Sequence, residues 1–246
     1  MFITLMAVDE LFDSYIIETI GKRISGDIVW SKDISGSLRK WREMFNVSQG
    51  ELAREMGIKQ SVIADYERGR RQAGSEFIKR YVSALISIDA RRGYKVVKEL
   101  AKMFGINFPF IVDMRDFNSP ICIDKLIRAV DGVVVNSFVT DKKVYGYVVT
   151  DSIRAILSLS GLEFYQVLSM MVNRVVVFTR VSSGRSPMIA LKVAPIRPQV
   201  VVFHRPVKLD PLALMLSEVE GINIIVSMKP TEEDLIKGLR SLLAES

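Results

Sequence analysis

The stretch LRKWREMFNVSQGELAREMGIKQSVIADYERGRR, Leu38–Arg71, decides the reading of the first half of the chain. Leu52, Ala53 and Met56 are apolar at helical spacing, and Ile58 follows at a turn. Ser48 precedes this run and Glu51 stands three residues on, a capping box that opens a helix over 49–56. Ala53 is small, so a second helix can cross closely there. Gly57 supplies the positive φ that a sharp turn between two helices needs. The next helix, about 60–68, buries Val62, Ile63 and Tyr66. It exposes Lys59, Gln60, Ser61, Ala64, Asp65 and Arg68.

Outward from this pair, further helices are expected at about Ile34–Phe45, from near Ser75 with Phe77, Tyr81 and Leu85 on one face, and at about Ala90–Met103, closed by Gly105. Upstream, residues 8–23 carry Leu11, Tyr15, Ile16 and Ile20 as one apolar stripe. Ser25-Gly26 is expected to stop that helix, with Asp27–Trp30 extended. The sequence therefore divides into 1–32, an N-terminal helix and extended segment, and 33–105, an all-α domain.

Three features of the quoted stretch agree in register: LR..RE, then V-S-Q..LA..MGI, then S.I..YE.GRR. On these, residues Asp33–Ala73 resemble the Xre/Cro-like helix-turn-helix family, whose members include phage repressors. The resemblance implies double-stranded DNA as partner and the helix at 60–68 as the element that enters the major groove. It also implies that Arg42 and Glu67, which stand at the family's paired positions, form an interior ion pair of structural and not catalytic role. The sequence departs from the family in having Lys59-Gln60 where a small hydroxylic cap is usual. It also has Gln72-Ala73-Gly74 where a proline usually follows the Gly-Arg-Arg stretch.

The side chains suit that role. Gln60 can pair with adenine N6 and N7, and Ser61 can bond several bases. Ala64 can sit against a thymine methyl, and Asp65 can accept from cytosine N4. Gln49, at a helix N-terminus, suits a phosphate oxygen. Arg39, Arg68, Arg70 and Arg71 flank the reading helix and are expected on backbone phosphates, with Lys59 beside them. The competing reading is a solvated polar helix face.

The distribution of charge agrees. The chain has 246 residues with net charge +6. Residues 1–32 carry three basic and five acidic groups, 33–105 fifteen and nine, and 106–246 sixteen and fourteen. The positive excess sits in the middle third, where a phosphate backbone would select for it. Hydrophobic residues at 49% and charged residues at 25% exclude a disordered chain. The mean hydropathy of +0.22 points to a well-filled core or a buried oligomer interface. No run is long and apolar enough for a transmembrane helix. The N-terminus does not read as a signal peptide, since Asp9 and Glu10 follow its short apolar start. One cysteine, Cys122, and one histidine, His204, leave no disulfide and no ligand set for zinc, so no metal and no cofactor are expected. A cytoplasmic location is expected.

Residues 106–120, with two prolines and no helical period, read as a linker or an edge strand, and the domain boundary is placed there. Beyond it, 121–246 reads as an α/β domain with a mixed sheet, so the whole chain is an α+β multidomain protein. Hairpins are expected at 133–139 with 144–149 around Thr140–Lys143, and at 175–181 with 188–193 around Ser182–Arg185. Helices are expected at 151–159 and 163–171, separated by Ser160-Gly161. Strand 200–203 precedes a helix from Pro211 that Asp210 caps and Gly221 ends, then strand 222–226 and a last helix, 232–243, capped by Thr231. No Walker loop, GxGxxG, GxSxG or HExxH occurs, so no enzyme is expected. His204, Arg205, Ser227 and Lys229 follow predicted strands and become candidate ligand-binding residues if those strands are parallel. The alternative is that they are ordinary loop residues.

The expectation is a sequence-specific, DNA-binding transcriptional regulator, a homodimer on a palindromic site, whose α/β domain serves dimerisation or senses a small-molecule effector. The alternative is an interaction protein, a co-activator or antitoxin-like chain using the same fold.

Overall fold

The computed structural model describes residues 2–106, 108–136, 143–159, 167, 171–194 and 196–244, the side chains of 2–14 excepted. It divides into two compact units, one of Asp13–Asn107 and one built on Phe108–Ser246.

The first unit is all-helical. Its elements are α1 (Phe2–Trp30) from Asp13 onward, α2 (Ile34–Met44), α3 (Gln49–Met56), α4 (Gln60–Glu67), α5 (Ser75–Arg91) and α6 (Lys95–Met103). Ser25-Gly26 does not stop α1, and Asp27–Trp30 is helical, not extended. The reason is burial: Ile16, Ile20, Ile24 and Ile28 keep a four-residue period and each is 6% exposed or less. Burying each isoleucine contributes about 1.5–3 kcal/mol, against about 1 kcal/mol lost to a mid-helix glycine. Asp27 then ties α1 to α2. Its Oδ2 accepts from Lys40 Nζ at 2.7 Å and from Trp41 Nε1 at 2.7 Å. The Lys40 bond and charge hold the Asp27 carboxyl below its usual range.

The two helices expected from Ser75 and from about Ala90 are present as α5 and α6, with the break at residues 92–94 and not before Ala90. Gly93 and Tyr94 both have positive φ, and the buried Asp89 carboxylate accepts from Val96 N at 3.2 Å and Val97 N at 2.9 Å. A carboxylate on those amides caps a new helix. Arg92, at the junction, bonds both oxygens of Glu51 at 2.7 and 2.9 Å and so grips α3.

The second unit is a six-stranded mixed sheet of order β1-β3-β4-β5-β6-β2. Its strands are β1 (Ile111–Cys122), β2 (Gly132–Val134), β3 (Lys143–Asp151), β4 (Val175–Thr179), β5 (Val200–His204) and β6 (Asn223–Ser227). Its helices are α7 (Ile123–Ala129), α8 (Ser152–Ser158), α9 (Arg185–Lys192), α10 (Pro211–Glu220) and α11 (Glu232–Ser241), followed by a 3₁₀ turn, Leu242–Ala244. β3 to β6 run parallel, and β1 and β2 are antiparallel edges on β3 and β6. Residues 111–120 are thus part of an edge strand and not a linker.

Neither expected hairpin is present among the described residues. β2 and β3 do not pair: β2 is an edge strand on β6, whereas β3 lies at the other end of the sheet between β1 and β4. Residues 188–193 begin inside a helix, α9, where Met188 and Leu191 are buried at three-residue spacing. Gly184, at φ +75°, starts that helix tight against β5: a Cβ there would lie 2.6 Å from Phe203 Cε2. Asp151, Asp210 and Thr231 cap α8, α10 and α11 through their side chains. The turn at 140–142, the Ser160-Gly161 break and the helix at 163–171 lie outside the described residues, Val167 and Met171 excepted.

One core lies between the sheet and α7 and α11, around Tyr147, Val149, Val177, Val202, Ile225 and Leu239. Asp113, fully buried on β1, is held there by Arg240 of α11 at 3.0 and 3.1 Å and by the Tyr147 hydroxyl at 2.8 Å.

Candidate nucleic-acid interface

The short helices α3 and α4 are positioned by their ends. Ser48 Oγ accepts from Glu51 N at 3.1 Å, and Gly57 closes α3 at φ +66°. α4 has Lys59 as N-cap and no side-chain capping bond. Its first amides therefore face outward with the positive end of the helix dipole. α4 is fixed from behind: Ile63 is fully buried, and Tyr66 stacks on Phe77 of α5 with ring centroids 3.6 Å apart.

Beneath α4 lies a charged brace. Arg42 Nε donates to Glu67 Oε1 at 2.7 Å and Arg42 Nη2 to Oε2 at 2.8 Å. Arg42 Nη1 donates to the Val47 carbonyl at 2.9 Å. Two further donors close the site: Gln49 Nε2 at 2.9 Å from Oε2, and the Tyr81 hydroxyl at 2.7 Å from Oε1. Burial pushes the Glu67 carboxyl up, but the bonds from Arg42, Gln49 and Tyr81 outweigh it and the net shift is downward. The Glu67 bond raises Arg42, and burial together with Glu67 raises the Tyr81 hydroxyl.

The opposite side of α4 is polar and open. Lys59, Gln60, Ser61 and Arg68 are exposed, with Ala64 and Asp65 half-buried between them. Gln60 sits beside the start of α3, its Oε1 3.6 Å from where a Cβ on Gly50 would be. The N-termini of α3 and α4 thus converge. Arg70 and Arg71 are exposed but lean back: Arg70 Nη1 is 3.6 Å and Arg71 Nε 3.7 Å from the Asp65 carboxylate. Asp65 therefore orients two arginines as well as facing outward. Arg39 is exposed and paired with Glu43 at 2.8 Å. Gln49, read in sequence as a phosphate ligand, has its side-chain amide on Glu67.

Sequence reasoning missed Gln49 and Tyr81 as members of the brace. A signal existed for the second: a tyrosine at a core position of α5 needs a partner for its hydroxyl.

In the sheet unit, β5 and β6 are parallel, so His204 and Ser227 do stand at strand carboxyl ends, in register with each other. Asp151 pairs with Thr179 at the ends of β3 and β4. Ser227 Oγ donates to the Val130 carbonyl at 2.7 Å, and Arg205 Nη1 to the Pro230 carbonyl at 2.8 Å, so both side chains hold backbone. Lys229 is half-buried, and its N–H donates to Ser227 Oγ at 3.3 Å. His204 Nδ1 is buried with no hydrogen-bond partner among the described residues, and burial, then the Arg205 charge, lowers the imidazole below its usual range. Among the described residues no cluster of His, Cys, Asp or Glu is placed to hold a metal ion, and no helix is long and apolar enough to cross a membrane.

The helix-turn-helix family profile matches residues 38–88. No solved structure matches the chain. An uncharacterised HTH-type transcriptional regulator of Archaeoglobus fulgidus is 38% identical over 228 residues, covering 92% of this chain and 98% of its own. A second uncharacterised HTH-type transcriptional regulator, from Methanocaldococcus jannaschii, is 38% identical over 231 residues, covering 92% and 95%. With an Xre/Cro-type module followed by an α/β domain, the chain belongs to this family of two-domain HTH-type transcriptional regulators.

Proposed function

We propose that the chain is a sequence-specific regulator that lays α4 in the major groove and acts as a homodimer on a palindromic site. The observation that carries this reading is the two-sidedness of α4. One face is locked to α2, α3 and α5 through Glu67, Ile63 and Tyr66. The other offers Lys59, Gln60 and Ser61 to solvent at the uncapped helix start. A helix that reads base edges needs both, a rigid back and short polar side chains near its N-terminus. Arg39, Arg68, Arg70 and Arg71 supply phosphate contacts in this reading.

A second copy is supported by the sheet unit. Ile153, Ile156 and Leu157 on one face of α8, and Met215 and Val219 on α10, are between 51% and 81% exposed. Exposed apolar side chains on these two helices offer area for an interaction surface. Reading two adjacent half-sites would require the two copies of α4 to lie about 34–36 Å apart, one turn of DNA. The sheet domain also senses a small-molecule effector in this reading.

Selection of bound duplexes from a random pool, using the full chain, tests it. The expected product is one enriched inverted repeat with half-sites a helical turn apart. Enrichment of no sequence would reduce the reading to an interaction protein, and enrichment of isolated half-sites would remove the dimer.

A further inference from the structure

We propose that the sheet domain contains a binding pocket for a small, uncharged, largely apolar molecule that carries one hydrogen-bonding group. This locates the sensing half of the reading above. The titration below uses no DNA, so the two can fail separately.

The pocket lies over the carboxyl ends of β3 and β4, between the sheet face and helices α8 and α9. Its volume is about 360 Å³, within the range of small-molecule sites. Phe110, Phe178, Ala155, Ala190 and Leu191 are among the apolar residues of its wall, and no charged side chain lines it among the described residues.

Three hydroxyl residues break this apolar lining, the exposed Ser186 and two that are buried. Thr150, the penultimate residue of β3, and Ser152, the first of α8, both face the pocket. The residues are 2% and 7% exposed, and neither Thr150 Oγ1 nor Ser152 Oγ has a hydrogen-bond partner among the described residues. Buried hydroxyls are ordinarily bonded, and leaving one orphaned is costly. Two orphans on the wall of one apolar cavity mark where a ligand's polar atom belongs. Strand order places them there: Thr150 shares a sheet face with Phe178, one register step from the polar Asp151–Thr179 pair.

The lining also defines what is refused. A carboxylate or phosphate would lose its hydration with no cation in the wall to replace it. A neutral alcohol, amide or ester on a ring or short-chain frame keeps the apolar contact and supplies the missing bond.

The test compares three probes that share a frame: 1-naphthol, naphthalene and 1-naphthoate, each titrated into the full chain at pH 7. We expect one saturable site per chain. Naphthol should bind roughly fivefold more tightly than naphthalene, the worth of one net hydrogen bond, and naphthoate weakest of all. Combining Thr150→Val with Ser152→Ala should erase the naphthol preference and leave naphthalene binding unchanged. Ala190→Phe, which fills the cavity, should abolish both, with circular dichroism and melting reporting that the variant is folded; Ala155→Leu replaces it if it is not. The proposal is overturned if no probe saturates, if naphthoate binds as well as naphthol, or if the preference survives the double substitution. A pocket whose hydroxyls merely hold water would give that last result.

Discussion

Arg42 and Glu67, 25 residues apart, meet through two parallel hydrogen bonds of 2.7 and 2.8 Å, with Arg42 10% and Glu67 1% exposed at the side chain. Every oxygen of Glu67 has two donors, so the pair is closed. Opening it leaves a charge without solvent. Arg42→Ala should cost about 3–5 kcal/mol in urea unfolding, because a buried carboxylate is stranded. Replacing both residues by apolar ones should cost much less than the sum of the single changes. Additive single effects would show that the pair is not coupled.

Glu67 also sets an acid limit. Its folded value lies below the ordinary 4.5, so its contribution to stability is present above that pH and is lost as pH falls through the lower folded value. Glu67→Gln should therefore lower stability at pH 7 and flatten the loss of stability below about pH 4.5 relative to the parent chain. Melting curves of the two proteins from pH 7 to pH 3 would show it.

His204 should act in a different window. Burial and Arg205 lower its folded value from 6.5. The unfolded chain then binds a proton more readily, so stability declines as pH drops below 6.5 and levels off under the folded value. His204→Gln should remove that decline. The imidazole C–H resonances, followed by NMR from pH 8 to pH 5, should titrate with a midpoint under 6.5.

On α4, the expected effects separate by role. Gln60→Ala and Ser61→Ala should each cost about 1–3 kcal/mol of discrimination at one base position of a selected site. Arg68→Ala should weaken all sequences alike and reduce the salt slope by about 0.9. Asp65→Asn releases Arg70 and Arg71 and should raise affinity for unrelated duplex. Fluorescence anisotropy across a salt series distinguishes the three patterns.

Gly57 and Gly184 share a positive φ and differ in surroundings. Nothing lies within 4 Å of a Cβ on Gly57, whereas one on Gly184 meets the Phe203 ring at 2.6 Å. Gly57→Ala should cost about 1–2 kcal/mol, the backbone strain alone. Gly184→Ala adds overpacking and should cost about 2–5 kcal/mol. Equal costs in urea unfolding would mean that α9 moves off β5 freely.

The helical module was legible because its signals are local. Ser48, Glu51 and Gly57 mark the ends of α3 within ten residues, and the apolar positions of α4 show its buried face directly. Asp210-Pro211 and Thr231 announced α10 and α11 in the same way. The errors lie where distant contacts override local ones. Gly26 sits inside α1 because Ile24 and Ile28 have a core to enter, which no local window reveals. β2 and β3 looked like a hairpin because they are near in sequence, yet each pairs with a strand from elsewhere. α9 was taken for a strand because Met188–Val193 is apolar and short, although Pro187 and the spacing of Met188 and Leu191 suit a helix. The brace was half legible: Arg42 and Glu67 stood at recognisable positions, but Gln49 and Tyr81 join only once α3 and α5 are packed against them.

The Asp113–Arg240 bond bears on how the protein is made. Asp113 lies on the first strand of the sheet unit and Arg240 on its last helix, 127 residues later. Arg115 of the same strand stands 3.7 Å from this buried carboxylate, but the two guanidinium hydrogen bonds on it form only when α11 has been synthesised. The polar braces described above for the helical module lie within residues 27–97, so it can fold while the ribosome is still translating the sheet unit. A newly made chain can thus carry a folded module ahead of a sheet whose apolar face stays uncovered until Leu235, Ile236 and Leu239 of α11 arrive.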